Sequence, residues 1–220
     1  GEKKRTCEVC GYTQTKTVSP TGGSGTTDSG KKPAMGTDDR LPFDDVRRGD
    51  WFYDDVRYVY ETSLMNGTAN RIFAPSISTT RAMIVTILWR LEGSPVVNFA
   101  MRFQDVAENL WYSEAVRWAA ANGIVTGYTE QTFGPNDNIA REQLAAILHR
   151  YANYKGYDVS AGEDTNILSF DDAQTISGYA VPAMQWACGA GLMQGSNRKL
   201  LPTAQATRAQ VAAMLHRFLG

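Results

Sequence analysis

The residue types best suited to chemistry in this chain are three arginines. Arg81, Arg141 and Arg208 each open an apolar run, in Thr80-Arg81-Ala82-Met83, Ala140-Arg141-Glu142-Gln143 and Thr207-Arg208-Ala209-Gln210. The apolar spacing after each arginine is helical, so each falls at a predicted helix start. A cation is unfavourable there, because the helix N-terminus already carries partial positive charge. A bound anion relieves that conflict. Free first-turn amides and a planar guanidinium together suit a carboxylate. The alternative is an internal partner, with Asp45, Asp105 and Asp172 as the candidates. If the arginines serve a ligand, their replacement by alanine weakens binding with little loss of fold.

Other residues recur around the arginines. Asp45, Asp105 and Asp172 either accept hydroxyls of a ligand or cap the next turn, as Asp commonly does; capping is slightly the stronger reading. Trp51, Trp111 and Tyr179 hold one aligned position. An aromatic there can stack on a sugar ring, although in a helical repeat it is more often core. Gly67, Gly127 and Gly195 supply turn conformations closed to other residues, or let backbone approach a ligand. Thr80 and Thr207 suit helix N-caps. Arg90, Arg150 and Arg217 recur nine residues after the first arginines and read as a solvated or salt-bridged face. His149 and His216 align with Trp89, and Cys188 aligns with Tyr60 and Ala120, so all three read as structural. No EF-hand spacing occurs, so no metal is expected in this region.

The elements that must position these residues come from an internal repeat. Three segments begin at Phe43, Phe103 and Phe170, and in each the arginine follows the phenylalanine by 38 residues. Gly67, Gly127 and Gly195 mark matched points between them, as do Pro75, Pro135 and Pro202. Each repeat predicts two helices. The first covers roughly 53–66, 113–122 and 179–190, and the glycine after it stops or redirects the chain. The second begins near Thr80, Ile139 and Thr207, with an apolar face of Ile87, Ile147 and Met214, then Leu88, Leu148 and Leu215, then Leu91, Tyr151 and Phe218. Three such stripes can pack on one another as a central bundle. One repeat cannot bury both its helices alone, so one cooperative domain over 43–219 is expected.

Before the repeats the character changes. Residues 18–42 are rich in Gly, Ser, Thr and Pro and read as a flexible linker. Residues 1–17 read as the tail of an upstream module. Their Cys7-x-x-Cys10 is half of a zinc site whose other ligands lie elsewhere, a disulfide, or a pair of free thiols. Across all 220 residues, 43% are hydrophobic, which excludes a wholly disordered chain. Net charge is −1, so there is no nucleic-acid footprint, and no apolar run is long enough to predict membrane insertion.

The pattern F-x-D-V…W…A-V-x-W-A…G-I-V-x-G…F-x-P…T-R-A closely resembles the S-layer homology (SLH) domain. The resemblance covers about 43–219. It implies an all-α fold of three tandem helix-loop-helix repeats, arranged as a pseudo-threefold, three-pronged bundle. It further implies an extracellular module that anchors proteins to a bacterial cell wall or S-layer and needs no cofactor. The implied partner is a secondary cell wall polysaccharide, often bearing pyruvate ketals on N-acetylmannosamine, held in grooves between prongs, with the arginine of the T-R-A-E motif as chief determinant. This chain departs from the pattern at Ala140, at Met83, Gln143 and Gln210 in place of Glu, and at Leu200 where the other repeats have Phe73 and Phe133. Unequal sites are therefore expected.

Two further functions compete with the anchor. A glycan hydrolase needs two carboxyl groups in different roles, and the repeated acids here are equivalent. An assembly domain that binds other surface-layer proteins is compatible with anchoring.

Overall fold

The computed structural model describes residues 40–220 in full, and before them two strands, β1 (Glu2–Thr6) and β2 (Thr13–Thr17), paired antiparallel. Cys7, Cys10 and nearly all of the linker lie outside the described residues. The repeat segment is all-α. Its helices are α1 (Tyr53–Glu61), α2 (Arg81–Leu91), α3 (Ser113–Ala121), α4 (Arg141–Lys155), α5 (Val181–Gly189) and α6 (Arg208–Leu219).

The first helices are shorter than their sequence pattern suggests. α1, α3 and α5 end before a left-handed residue, namely Ser63, Gly123 and Gly191, with φ of 62°, 69° and 71°. These residues, and not Gly67, Gly127 and Gly195, stop the helices. Pro182 sits in the first turn of α5, where its missing N–H is harmless.

The second helices begin where the arginines predicted. Thr80 and Thr207 cap them: each Oγ1 accepts the N–H three residues on, from Met83 and Gln210, at 3.3 Å. Ala140 has no hydroxyl, so α4 lacks this cap. The amide oxygen of Gln143 reaches back instead to the N–H of Ala140, at 3.1 Å.

The principal helix–helix contacts join different repeats. α3 packs on α2, α5 on α4, and α1 on α6. Each first helix therefore lies against the second helix of the preceding repeat, and the first repeat closes on the third. These pairings, and not a bundle of three second helices, carry most of the packing between helices. Leu88, Leu148 and Leu215 are buried as the stripes predicted, whereas Leu91 is 36% exposed where Tyr151 is 2% exposed.

A ring of backbone hydrogen bonds locks this closure. The N–H of Thr79 donates to Ala206 O at 3.0 Å, that of Ala206 to Ile139 O at 2.8 Å, and that of Ile139 to Thr79 O at 2.9 Å. All three residues are fully buried. Around the ring, Ile139 and Ala206 are apolar, but Thr79 carries a hydroxyl with no hydrogen-bond partner among the described residues. A buried, unpaired hydroxyl destabilises a fold. Thr79→Val keeps the β-branched shape and removes the orphan. It should raise stability by about 1 kcal/mol, read as a higher denaturant midpoint with unchanged slope; a lower midpoint would show that the hydroxyl is satisfied in solution.

Candidate functional site

The amides that open the second helices are already taken. Arg81 N–H donates to Asp137 O and Ala82 N–H to Pro135 O, both at 3.0 Å. Arg141 and Glu142 bond Ala204 and Pro202 in the same way, and Arg208 and Ala209 bond Ile77 and Pro75. The first two amides of each helix are thus satisfied by the next repeat round the ring. They are not free for an anion, which corrects the expectation from the helix termini.

The arginine side chains follow the same rotation. Arg81 Nε donates to Phe133 O at 2.9 Å, Arg141 Nε to Leu200 O at 2.8 Å, and Arg208 Nε to Phe73 O at 2.8 Å. Neither Arg81 nor Arg141 forms an ion pair with a carboxylate among the described residues. Arg81 lies 4.4 Å from the Tyr128 ring centre and 4.8 Å from that of Phe133, and Arg208 lies 4.6 Å from Phe73. Such contacts stabilise a partly desolvated guanidinium. Burial lowers the pKa of both Arg81 and Arg141, yet a guanidinium remains charged. Arg81 and Arg208 are only 6% and 3% exposed, and Arg141 is half-buried. At Arg81 and Arg208, substitution by alanine therefore costs stability, contrary to the expectation of little loss of fold.

The aspartates are turned away from solvent ligands and into the backbone. Asp45 accepts the N–H groups of Phe73 and Ala74 at 2.8 and 2.7 Å. Asp105 holds Phe133 and Gly134, and Asp172 holds Leu200 and Leu201. Each carboxylate thus pins the loop whose carbonyl receives the arginine of the preceding repeat. The capping of the next turn expected of these residues is not what they do; each binds loop amides 28 and 29 residues further along the chain. At Asp172, burial pushes the pKa up, but the Leu200 and Leu201 amides outweigh it and leave it below the ordinary value. A depressed carboxylate contributes stability above its unfolded pKa, and that contribution is lost as pH falls through the folded value. Acid unfolding should therefore begin to weaken the domain below about pH 4, and Asp172→Asn should flatten that part of the stability–pH curve. An unchanged curve would remove Asp172 from the acid response.

The three glycines mark close approach. A Cβ on Gly67 would stand 2.6 Å from Ile72 O and 2.8 Å from the Phe43 ring. On Gly127 it would stand 2.5 Å from both the Phe103 ring and Thr129 O. Gly195 meets the Phe170 ring in the same way. Gly127 alone of the three has a positive φ, of 80°; at Gly67 and Gly195 the requirement is room, not backbone conformation.

These parts build two equivalent grooves. One, of about 440 Å³, is lined by Arg81, Gly127, Gln143, Arg150 and Tyr179. The other, of about 350 Å³, is lined by the matching Arg141, Gly195, Gln210, Arg217 and Trp51. Each groove takes its first arginine from one repeat, its glycine loop and helix from the next, and its aromatic from the third. Trp51 is 64% exposed and Tyr179 55%, so both stand at the surface and not in the core. The remaining set is Arg208, Gly67 and Trp111, where Trp111 is half-buried against the core. Thr80 and Thr207 do not line either groove; they serve as caps.

Arg150 and Arg217, expected on a solvated or salt-bridged face, line the two grooves. Their recurrence at fixed distance from Arg81, Arg141 and Arg208 was the available signal. Glu142, which no recurring residue marks, also lines the first groove and is 5% exposed. Its carboxylate accepts from the Ser177 N–H and hydroxyl at 3.0 and 2.7 Å, and from the Tyr179 hydroxyl at 3.4 Å. Burial, then Glu142, pushes the Tyr179 pKa up to about 12, so the phenol keeps its proton and donates.

The histidines and Cys188 stay outside the grooves. His216 Nδ1 is 2.8 Å from Asp55 Oδ1 and the ring stacks on Tyr58; His149 lies against Trp186. Burial raises the Cys188 pKa, which makes it a poor nucleophile. No cluster of potential metal ligands occurs among the described residues, and no helix there is long and apolar enough to cross a membrane.

The rotational closure and the grooves built across repeats define a closed tandem-repeat domain. The S-layer homology domain matches residues 42–82, 102–145 and 169–212, and the chain belongs to that family. It is a cell-surface, cell-wall-associated module with an anchoring role. It is 32% identical over 180 residues to an endoglucanase of Bacillus sp. (strain KSM-635), covering 81% of this chain and 19% of that protein. It is 28% identical to the Surface-layer 125 kDa protein of Lysinibacillus sphaericus, over 74% of this chain and 13% of that one. It is 26% identical to the cellulosome-anchoring protein of Acetivibrio thermocellus, over 53% and 27%. The chain thus spans less than a third of the length of each of these relatives.

Proposed function

We propose that the chain is a non-catalytic anchor that binds a secondary cell wall polysaccharide, carrying pyruvate ketals, in the grooves between its repeats. The observation that carries this reading is the pair of equivalent grooves, each presenting two guanidinium groups beside an exposed aromatic. Guanidinium groups recognise a ketal carboxylate through charge-assisted hydrogen bonds. An aromatic face covers the apolar face of a sugar ring. The cyclic order of helix contacts supports a pseudo-threefold, three-pronged bundle spanning 43–219. Occupying more than one groove on one polymer would add avidity without new contacts.

The acids give no support to hydrolysis. Asp45, Asp105 and Asp172 are bonded to backbone amides in matching ways, so no pair is set apart as acid and nucleophile. Other surface-layer proteins are proposed as further partners, on the similarity to the Surface-layer 125 kDa protein.

The test is co-sedimentation of the whole chain with purified cell walls, before and after their polysaccharide is stripped. Retention on intact walls and release from stripped walls is the expected result. Equal retention on both would place recognition on the peptidoglycan and overturn the proposal.

A further inference from the structure

The two grooves share a plan but not a charge. The groove at Arg141 is lined by three cations, Arg141, Lys199 and Arg217, and by no acid. The groove at Arg81 is lined by two cations, Arg81 and Arg150, and by one acid, Glu142. The equivalents of Glu142 in the other two repeats are Ala82 and Ala209. Asp137 adds a second acid near Arg81, and its equivalents are Ile77 and Ala204.

The guanidinium groups differ as well. Arg81 is covered by the Tyr128 and Phe133 rings. At Arg141 the matching positions are Ser196 and Leu200, so neither of those two ring contacts has a counterpart there. Its Nη2 reaches only Gln194 O, at a long 3.5 Å. Arg141 therefore lacks the two aromatic contacts that Arg81 has, and its outer nitrogen is held only by that long bond.

Resting on the polysaccharide reading above, we infer that the grooves divide the polymer between them: the Arg141 groove takes the acidic, ketal-bearing sugar, and Glu142 turns the Arg81 groove toward an uncharged sugar. Glu142 is a specificity-determining residue in this arrangement. Its charge offsets the two arginines, and its bonds to Ser177 and Tyr179 hold the aromatic of the third repeat at the groove. A second carboxylate brought beside it would be opposed by like charge at short range, where partial burial limits screening.

The test is a two-probe titration followed by backbone amide NMR on the whole chain. The probes are the methyl glycoside of N-acetylmannosamine and the same glycoside bearing a pyruvate ketal. Gly195 reports the Arg141 groove and Gly127 the Arg81 groove. With the ketal probe, Gly195 should saturate at a concentration about tenfold lower than Gly127. Without the ketal, that preference should vanish. Glu142→Gln retains an oxygen for the Ser177 and Tyr179 hydroxyls while removing the charge and the acceptor of the Ser177 N–H, and should bring Gly127 toward the affinity of Gly195 for the ketal probe. Parallel saturation of the two glycines, or an unchanged ratio in Glu142→Gln, would overturn the division while leaving the polysaccharide reading in place. Silence at both glycines with both probes would overturn the polysaccharide reading, and the division with it.

Discussion

Gly127→Ala should lower the melting temperature of the domain by about 10 °C, for a loss of about 3–5 kcal/mol. Two penalties add at this position. The backbone has φ of 80°, where a side chain is strained. The new Cβ would also stand 2.5 Å from the Phe103 ring and from Thr129 O. The ring belongs to the Phe103 that opens the second repeat, and Asp105, two residues on, pins Phe133 and Gly134. Displacing the ring therefore disturbs the loop that receives Arg81. Two glycines separate the penalties. Gly123→Ala meets positive φ with open space around it, and should cost about 1 kcal/mol. Gly49→Ala meets neither and should be close to neutral. If all three melt alike, close approach is not what holds Gly127.

Arg141→Ala should weaken polysaccharide binding by about 10–100-fold, the loss of one charge-assisted contact of about 1.5–3 kcal/mol. Arg141 is the least covered of the three arginines, so its replacement disturbs the fold least and binding most. The bond from its Nε to Leu200 O is lost, but the side chain is not fully buried and water takes over part of that role. Arg141→Lys should recover only part of the affinity, because a point charge does not reproduce a bidentate fork. Arg208→Ala makes the contrast. That side chain is buried and joins the third repeat to Phe73 O and Asn66 O of the first, so its removal should register as lost stability. Isothermal titration beside thermal melting checks both. Equal binding losses without stability loss at Arg208 would show that ring closure does not depend on it.

Much of this structure was legible because it repeats. A thirty-eight-residue interval, held three times, placed Arg81, Arg141 and Arg208 at helix starts, and α2, α4 and α6 begin there. What remained hidden was which copy each residue touches. An apolar stripe states that a helix has a partner but not which repeat supplies it, so the pairing of α1 with α6 could not be read from periodicity. The same ambiguity concealed the targets of the aspartates, which lie 28 residues away in the same repeat, and those of the arginines, which lie in the next. Arg150 and Arg217 read as solvated because the groove they face is made only when a third repeat brings Tyr179 or Trp51. The departure at Ala140 leaves α4 without the hydroxyl cap of α2 and α6, while the first-turn amides are filled by carbonyls that no local pattern announces.

The central claim is that an anionic wall polysaccharide is held by arginine-centred grooves. The direct measurement is calorimetric titration of the whole chain with purified polymer, beside the same polymer with its pyruvate ketals removed. Saturable binding to the ketal-bearing polymer, strongly reduced when the ketals are removed, is the predicted result. Equal binding to both polymers would contradict it and move recognition to the neutral sugar contacts.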